Sequence, residues 1–134
     1  MHHSRPRWLC LDTLYSFEKL SESDIYSTFQ QIQKYHMMET PQLATIFGSL
    51  GQSTRLEIIR LLAPLSKPDR GGGLPAGQIA KALNTAPANL SFHLKDMALR
   101  SLVSQRRRGR EIYYQANLPL VLAALDSLVT DLEK

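Results

Sequence analysis

The stretch LPAGQIAKALNTAPANLSFHLKDMALRSLVSQRRRGREIYYQ, residues 74–115, decides the fold. Residues 76–84 read as a short helix with Ile79, Ala80 and Leu83 inward, and Asn84 to Ala86 make a turn. Pro87 opens a second helix, because a helix's first N–H groups have no intrahelical acceptor and proline gives up nothing there. That helix runs to about Arg100, with Leu90, Leu94, Met97 and Ala98 inward. Two short helices joined by a tight turn are the helix-turn-helix pattern. Leu102 to Arg107, a turn at Arg108-Gly109, and Arg110 to Gln115 then read as a β-hairpin, with Val103, Ile112, Tyr113 and Tyr114 as strand formers.

Upstream, Thr40-Pro41 reads as a cap followed by proline at the first helical position, starting a helix with Leu43, Ile46, Phe47 and Leu50 on one stripe. Gly51 is expected to end it as a left-handed terminator. The next helix is expected from about Ser53 to Leu65, with Leu56, Ile59, Leu62 and Ala63 as its apolar face. PLSKPDRGGGLP, residues 64–75, is too rich in proline, glycine and charge for regular structure and reads as a flexible connection. Downstream, Asn117 caps a last helix to about Leu132, in which Leu118, Val121, Leu122, Leu125, Leu128, Val129 and Leu132 recur. That is more apolar surface than one small core needs, so this helix is expected to form a subunit interface as well. The fold class is mainly α with a small β-hairpin, a winged helix-turn-helix, over residues 39–134.

Residues 1–38 form an N-terminal extension. Caps at Ser21, Ser23 or Asp24 and the stripe Ile25, Phe29, Ile32 and His36 predict a helix, and residues 11–20 a shorter one. The expectation is that residues 24–36 pack against the subunit interface and widen it. Arg5 and Arg7 precede apolar residues, but Asp12 interrupts the run and no small-residue cleavage site follows, so a cytoplasmic protein without a signal peptide is expected. No stretch approaches the length of apolar sequence that a membrane span needs.

The chain's 134 residues suit one domain, and 43% hydrophobic against 21% charged residues indicates a folded rather than a disordered chain. The net charge is +4, and its distribution is uneven. Residues 87–117 carry Lys95, Arg100, Arg106, Arg107, Arg108 and Arg110 against Asp96 and Glu111, whereas residues 118–134 carry a net −2. A positive surplus concentrated in and after the helix-turn-helix points to a polyanionic partner. The single cysteine, Cys10, excludes a disulfide framework and any Cys-rich zinc or iron–sulfur site. RGGGLP lacks the Gly-Lys-Ser/Thr of a phosphate-binding loop, and no Ser/His/Asp or Cys/His set stands at a recognisable spacing, so neither enzyme activity nor a cofactor is expected.

The blocks LGQSTRLEIIRLL, LPAGQIAKAL, SFHLKDM and LVSQRRRGREIYYQ are similar to the ArsR/SmtB family of bacterial transcriptional repressors, over about residues 41–132. The resemblance implies a homodimeric winged-helix protein that binds double-stranded operator DNA at an inverted repeat and releases it when an inducer binds. It implies dimer contacts from the helices beginning near Pro41 and near Leu118, and Pro87–Arg100 as recognition helix. Family members often carry Gln, Ser, Ser and His at the positions matching Pro87, Ala88, Ser91 and Phe92, and this chain keeps only Ser91.

The residues expected at DNA are Ala88, Asn89, Ser91, Phe92 and Lys95 on the helix, and Arg106, Arg107, Arg108 and Arg110 on the wing. Asn89 suits base reading, Phe92 a thymine methyl, and Lys95 and the arginines phosphates. His93 matches a commonly shared histidine and is expected to be structural. The family's metal positions are not filled. The paired cysteines of arsenic and cadmium sensors match Pro75 and Gly77, and the last helix offers Asp126, Asp131 and Glu133 but no histidine. His2, His3, Cys10 and His36 lie outside the core region. No metal site is expected, and the inducer is not identified. The alternative, from a different class, is a winged-helix module whose basic wing binds an acidic protein partner.

Overall fold

The computed structural model describes residues 38–66 and 72–134, together with Ser23 and Gln30. The helix expected at 11–20 lies outside the described residues, as does the one expected at 24–36 apart from Gln30, which is helical. From Thr40 onward the order is α1 (Thr40–Leu50), α2 (Ser53–Leu62), a 3₁₀ turn (Ala63–Leu65), β1 (Leu74–Pro75), α3 (Ala76–Ala82), α4 (Pro87–Leu99), β2 (Val103–Arg108), β3 (Glu111–Ala116) and α5 (Leu118–Leu132). The strands form one antiparallel sheet in the order β1-β3-β2. The protein is thus a winged helix-turn-helix.

One core holds these elements together. Ile58 and Leu62 of α2, Ile79 of α3, Leu90, Leu94 and Met97 of α4, and Leu102 at the root of the wing are fully buried. Each helix contributes residues three or four apart, which is why one stripe per helix suffices to fill the centre. Leu120, Ala123 and Ala124 of α5 close the core from the far side. The chain entering α1 is tied to the same helix, because the Met38 N–H donates to Ser127 Oγ (3.2 Å).

Several local expectations need correction. The N-cap of α1 is Glu39 rather than Thr40, and its N–H donates to Gln42 Oε1 (3.1 Å). Gly51 does end α1, but at φ −72°, so it is not the left-handed terminator expected. Helix α2 stops at Leu62 and tightens into a 3₁₀ turn, because Pro64 has no N–H to continue the ladder. Its buried face keeps Ile59 and Leu62 and adds Arg55 and Ile58, whereas Leu56 is 47% exposed. At the start of α5, the Asn117 Nδ2 donates to Ser101 O (2.8 Å), tying the helix entry to the end of α4.

The wing also differs. Arg108 pairs with Glu111, so the two-residue turn is Gly109-Arg110, one residue later than expected. Gly109 takes φ +61°, the sign that a type II′ hairpin turn requires at its first position and that glycine adopts without strain. A third strand, which the sequence does not announce, joins the hairpin. Leu74 and Pro75 pair with Tyr114 and Tyr113, anchoring the wing to the start of α3. Proline is tolerated because β1 is an edge strand.

Gly73 permits this approach. It sits at φ +95°, and a Cβ there would collide with the Tyr114 backbone carbonyl. Gly73→Ala is therefore expected to destabilise the fold by about 2 kcal/mol, from backbone strain and displaced strand pairing together. Thermal melting of the variant beside the wild type checks this, and an unchanged midpoint would count against the role given to Gly73.

Candidate nucleic-acid interface

Helix α4 separates its faces cleanly. Leu90, Leu94 and Met97 point into the core. Ala88, Phe92, Lys95 and Leu99 are all exposed on the opposite side, and at 3.6 residues per turn they fall within about 60° of one another. Asn89 and Ser91 are exposed as well and flank this stripe on either side. All five helix residues expected at DNA thus lie on the solvent side of α4. Phe92 is 69% exposed, and its ring meets His93 edge-on, with centroids 6.1 Å apart.

What holds α4 in place is a polar cluster that runs through three helices. Arg55 of α2 is 6% exposed, and its Nη1 donates to Asp96 Oδ2 (2.7 Å), to Ser49 Oγ (3.2 Å) and to Ser49 O (3.3 Å). Its Nε donates to His93 Nδ1 (3.1 Å), so His93 is structural, as expected. Ser49 Oγ donates to Asp96 Oδ2 (3.2 Å), and Arg100 Nε donates to the same oxygen (3.2 Å). Partial burial pushes the Asp96 carboxyl up. The hydrogen bond from Arg100, the positive charges of Arg55 and Arg100, and the hydrogen bond from Ser49 outweigh this and hold it below the usual carboxylate value. Residues 49, 55 and 96 therefore fix α4 against α1 and α2. Sequence reasoning missed Arg55 and Asp96. The available signal was that Arg55, Ile58, Ile59 and Leu62 make an i, i+3, i+4, i+7 stripe with a charge in an apolar position.

The wing presents its arginines on two faces. Cross-strand partners share a face, so Arg107 lies with Ile112 on the side of the buried Val103 and Ala116. Arg106 and Arg108 lie with Tyr113 and Glu111 on the other side, and Arg110 sits in the turn. All four are exposed. Arg108 has a local partner, since its guanidinium lies over the Tyr113 ring, 5.2 Å from the centroid. Between α4 and β2 runs an open groove lined by Lys95, Ala98, Leu99, Val103, Ser104 and Gln105. Helix α4 and the basic hairpin are thus held on one frame, joined by Leu102 N–H to Met97 O (2.9 Å) and by α4 packing against β2.

The family's metal positions do not suit a metal here. Pro75 is spent on β1 and Gly77 carries no donor. Asp131 pairs with Lys134 (3.5 Å) on the exposed end of α5. Among the described residues no group of three or more His, Cys, Asp or Glu could hold a metal ion, and no helix is long and apolar enough to cross a membrane.

Comparison with known proteins agrees with this architecture. Residues 50–106 match a family model described as a helix-turn-helix domain. The chain is 27% identical over 89 residues to the transcriptional repressor SdpR of Bacillus subtilis (strain 168), covering 66% of this chain and 91% of that protein. It is 32% identical over 95 residues to the arsenical resistance operon repressor of Staphylococcus aureus, covering 71% of this chain and 81% of that protein. Among solved structures it resembles an ArsR-like transcriptional regulator from Rhodococcus sp. RHA1, with 27% identity and a TM-score of 0.55, over 67% of this chain and 78% of that one.

Proposed function

The chain belongs to the ArsR/SmtB family of winged helix-turn-helix transcriptional repressors, and from that premise we propose that it acts in the cytoplasm as a homodimer on an inverted-repeat operator in double-stranded DNA. The observation that carries this reading is the side-by-side placement of the exposed α4 stripe and the arginine-bearing wing on one frame. Helix α4 enters the major groove, where base edges are distinguishable. Lys95 and the wing arginines meet phosphates on either side, supplying affinity and register.

Dimerisation uses the outer face of α5 with α1. Leu125, Leu128, Val129 and Leu132 are between 37% and 75% exposed in the single chain, an apolar strip that a second copy would cover. Two α4 helices related by a twofold axis then read half-sites about one helical turn apart, roughly 10 bp. The releasing signal is something other than a thiolate-bound metal, since the one cysteine of each chain cannot supply a three-cysteine site even in a dimer.

Light scattering on the full chain at micromolar concentration is expected to give a dimer, and a promoter fragment upstream of its own gene is expected to shift in a salt-dependent way. A monomer, or retention that ignores salt, would sink this reading.

A further inference from the structure

The stripe on α4 that faces solvent has an unusual composition for a surface meant to read bases. Ala88 and Phe92 have no side-chain hydrogen-bonding group, and Leu99, at 79% exposed, ends the same stripe. A phenyl ring exposed to 69% is costly to leave in water. The core does not need it, because Leu90, Leu94 and Met97 already fill the inner face. The polar residues nearby sit off the stripe. Asn89 lies about 100° round the helix from Ala88, on the edge that carries His93 and Asp96 toward Arg55. Ser91 lies on the opposite edge.

Neither Ala88 nor Phe92 can pair with the acceptors of guanine or with the donor and acceptor of adenine. The apolar group in the major groove is the C5-methyl of thymine. We propose that Phe92, flanked by Ala88, is a specificity-determining residue that selects thymine by burying its methyl group in each half-site. This rests on the reading of α4 as the recognition helix. Lys95, one turn further along, is cationic and suits the polyanion on which that apolar patch would seat. Contact with the methyl removes part of the Phe92 ring from water at the moment of binding and leaves no polar edge unpaired on the protein side. A cytosine or a purine at that position would instead present polar groups to an apolar ring.

The test can start from an unknown operator. A random duplex pool amplified with dTTP is selected against the full chain, and the enriched sequence is remade with dUTP, which removes only the methyls. Expected is a thymine at a fixed position of each half-site. Affinity should fall about fourfold for each methyl that Phe92 contacts, hence about fifteenfold for a symmetric site, the value of one methylene-sized group per half-site. Phe92→Ala should melt like the wild type, bind the thymine form more weakly, and no longer distinguish thymine from uracil. Wild-type affinity for the uracil form, or a Phe92→Ala protein that keeps the full thymine preference, overturns the proposal. If the duplex is retained in a salt-dependent manner with that indifference to uracil, DNA binding stands and only the thymine reading falls. If no duplex is retained at all, both fall.

Discussion

Replacing Arg106, Arg107, Arg108 and Arg110 together by Ala is expected to weaken binding to every duplex alike, and eight lost phosphate contacts in a dimer would take roughly 7 from the salt slope. Each phosphate that is no longer neutralised takes about 0.9 from the slope of log affinity against log salt, and a dimer has two wings. The weakening should not depend on sequence, because phosphates carry none of it. The four positions are not equivalent. Arg108 is partly engaged by the Tyr113 ring, so Arg108→Ala alone should cost less than Arg107→Ala or Arg110→Ala. Changes at Ser91 or Asn89 should act differently, altering discrimination between duplexes while leaving the salt slope in place. Fluorescence anisotropy across a salt series measures both quantities. A fourfold variant with wild-type affinity and slope would remove the wing from the interface.

Much of this arrangement was legible because the two helices and the hairpin carry their own local signals. Pro87 sets the start of α4, and the stripe of Leu90, Leu94 and Met97 sets its inner face. The exposed side follows without further information, which is why all five of the expected helix residues lie on it. The direction of each arginine was not legible. Strand side chains alternate, so a slip of one residue in the turn reverses which arginines share a face, and RRRGR offers more than one place for the turn. The turn at Gly109-Arg110 settles that alternation.

Strand β1 was hidden for another reason. Two residues behind a glycine run have no periodicity of their own, and their pairing partner lies about forty residues downstream. Arg55 was missed because a charged residue is expected in solvent. Its burial makes sense only once Ser49, His93 and Asp96, from two other helices, are seen to surround it.

That cluster carries the largest expected effect on stability. Arg55→Ala leaves Asp96 half-buried with Arg100 as its one cationic partner among the described residues and takes a donor from His93 and Ser49. Breaking a buried pair from one side typically costs about 3–5 kcal/mol, far more than the pair contributes on balance. Arg100 and the partial exposure of Asp96 favour the lower end, about 3 kcal/mol, which for a domain of this size lowers the melting point by roughly 10–20 °C. Replacing both partners, as Arg55→Met with Asp96→Leu, should recover much of that stability, since the buried charge is then gone. The pH dependence supplies an independent check. The Asp96 carboxyl is held below its ordinary value in the fold, so its contribution is fully present above the unfolded carboxylate value of about 3.9 and disappears as pH falls through the folded value. Asp96→Asn cannot titrate there. Urea unfolding at pH 7 and near pH 3 should show the wild type losing more stability than Asp96→Asn over that interval. Parallel losses in the two proteins would mean that Asp96 is not the group whose charge secures α4. In that case the tether to α2 would have to be sought in the hydrogen bond from Arg55 Nε to His93 Nδ1.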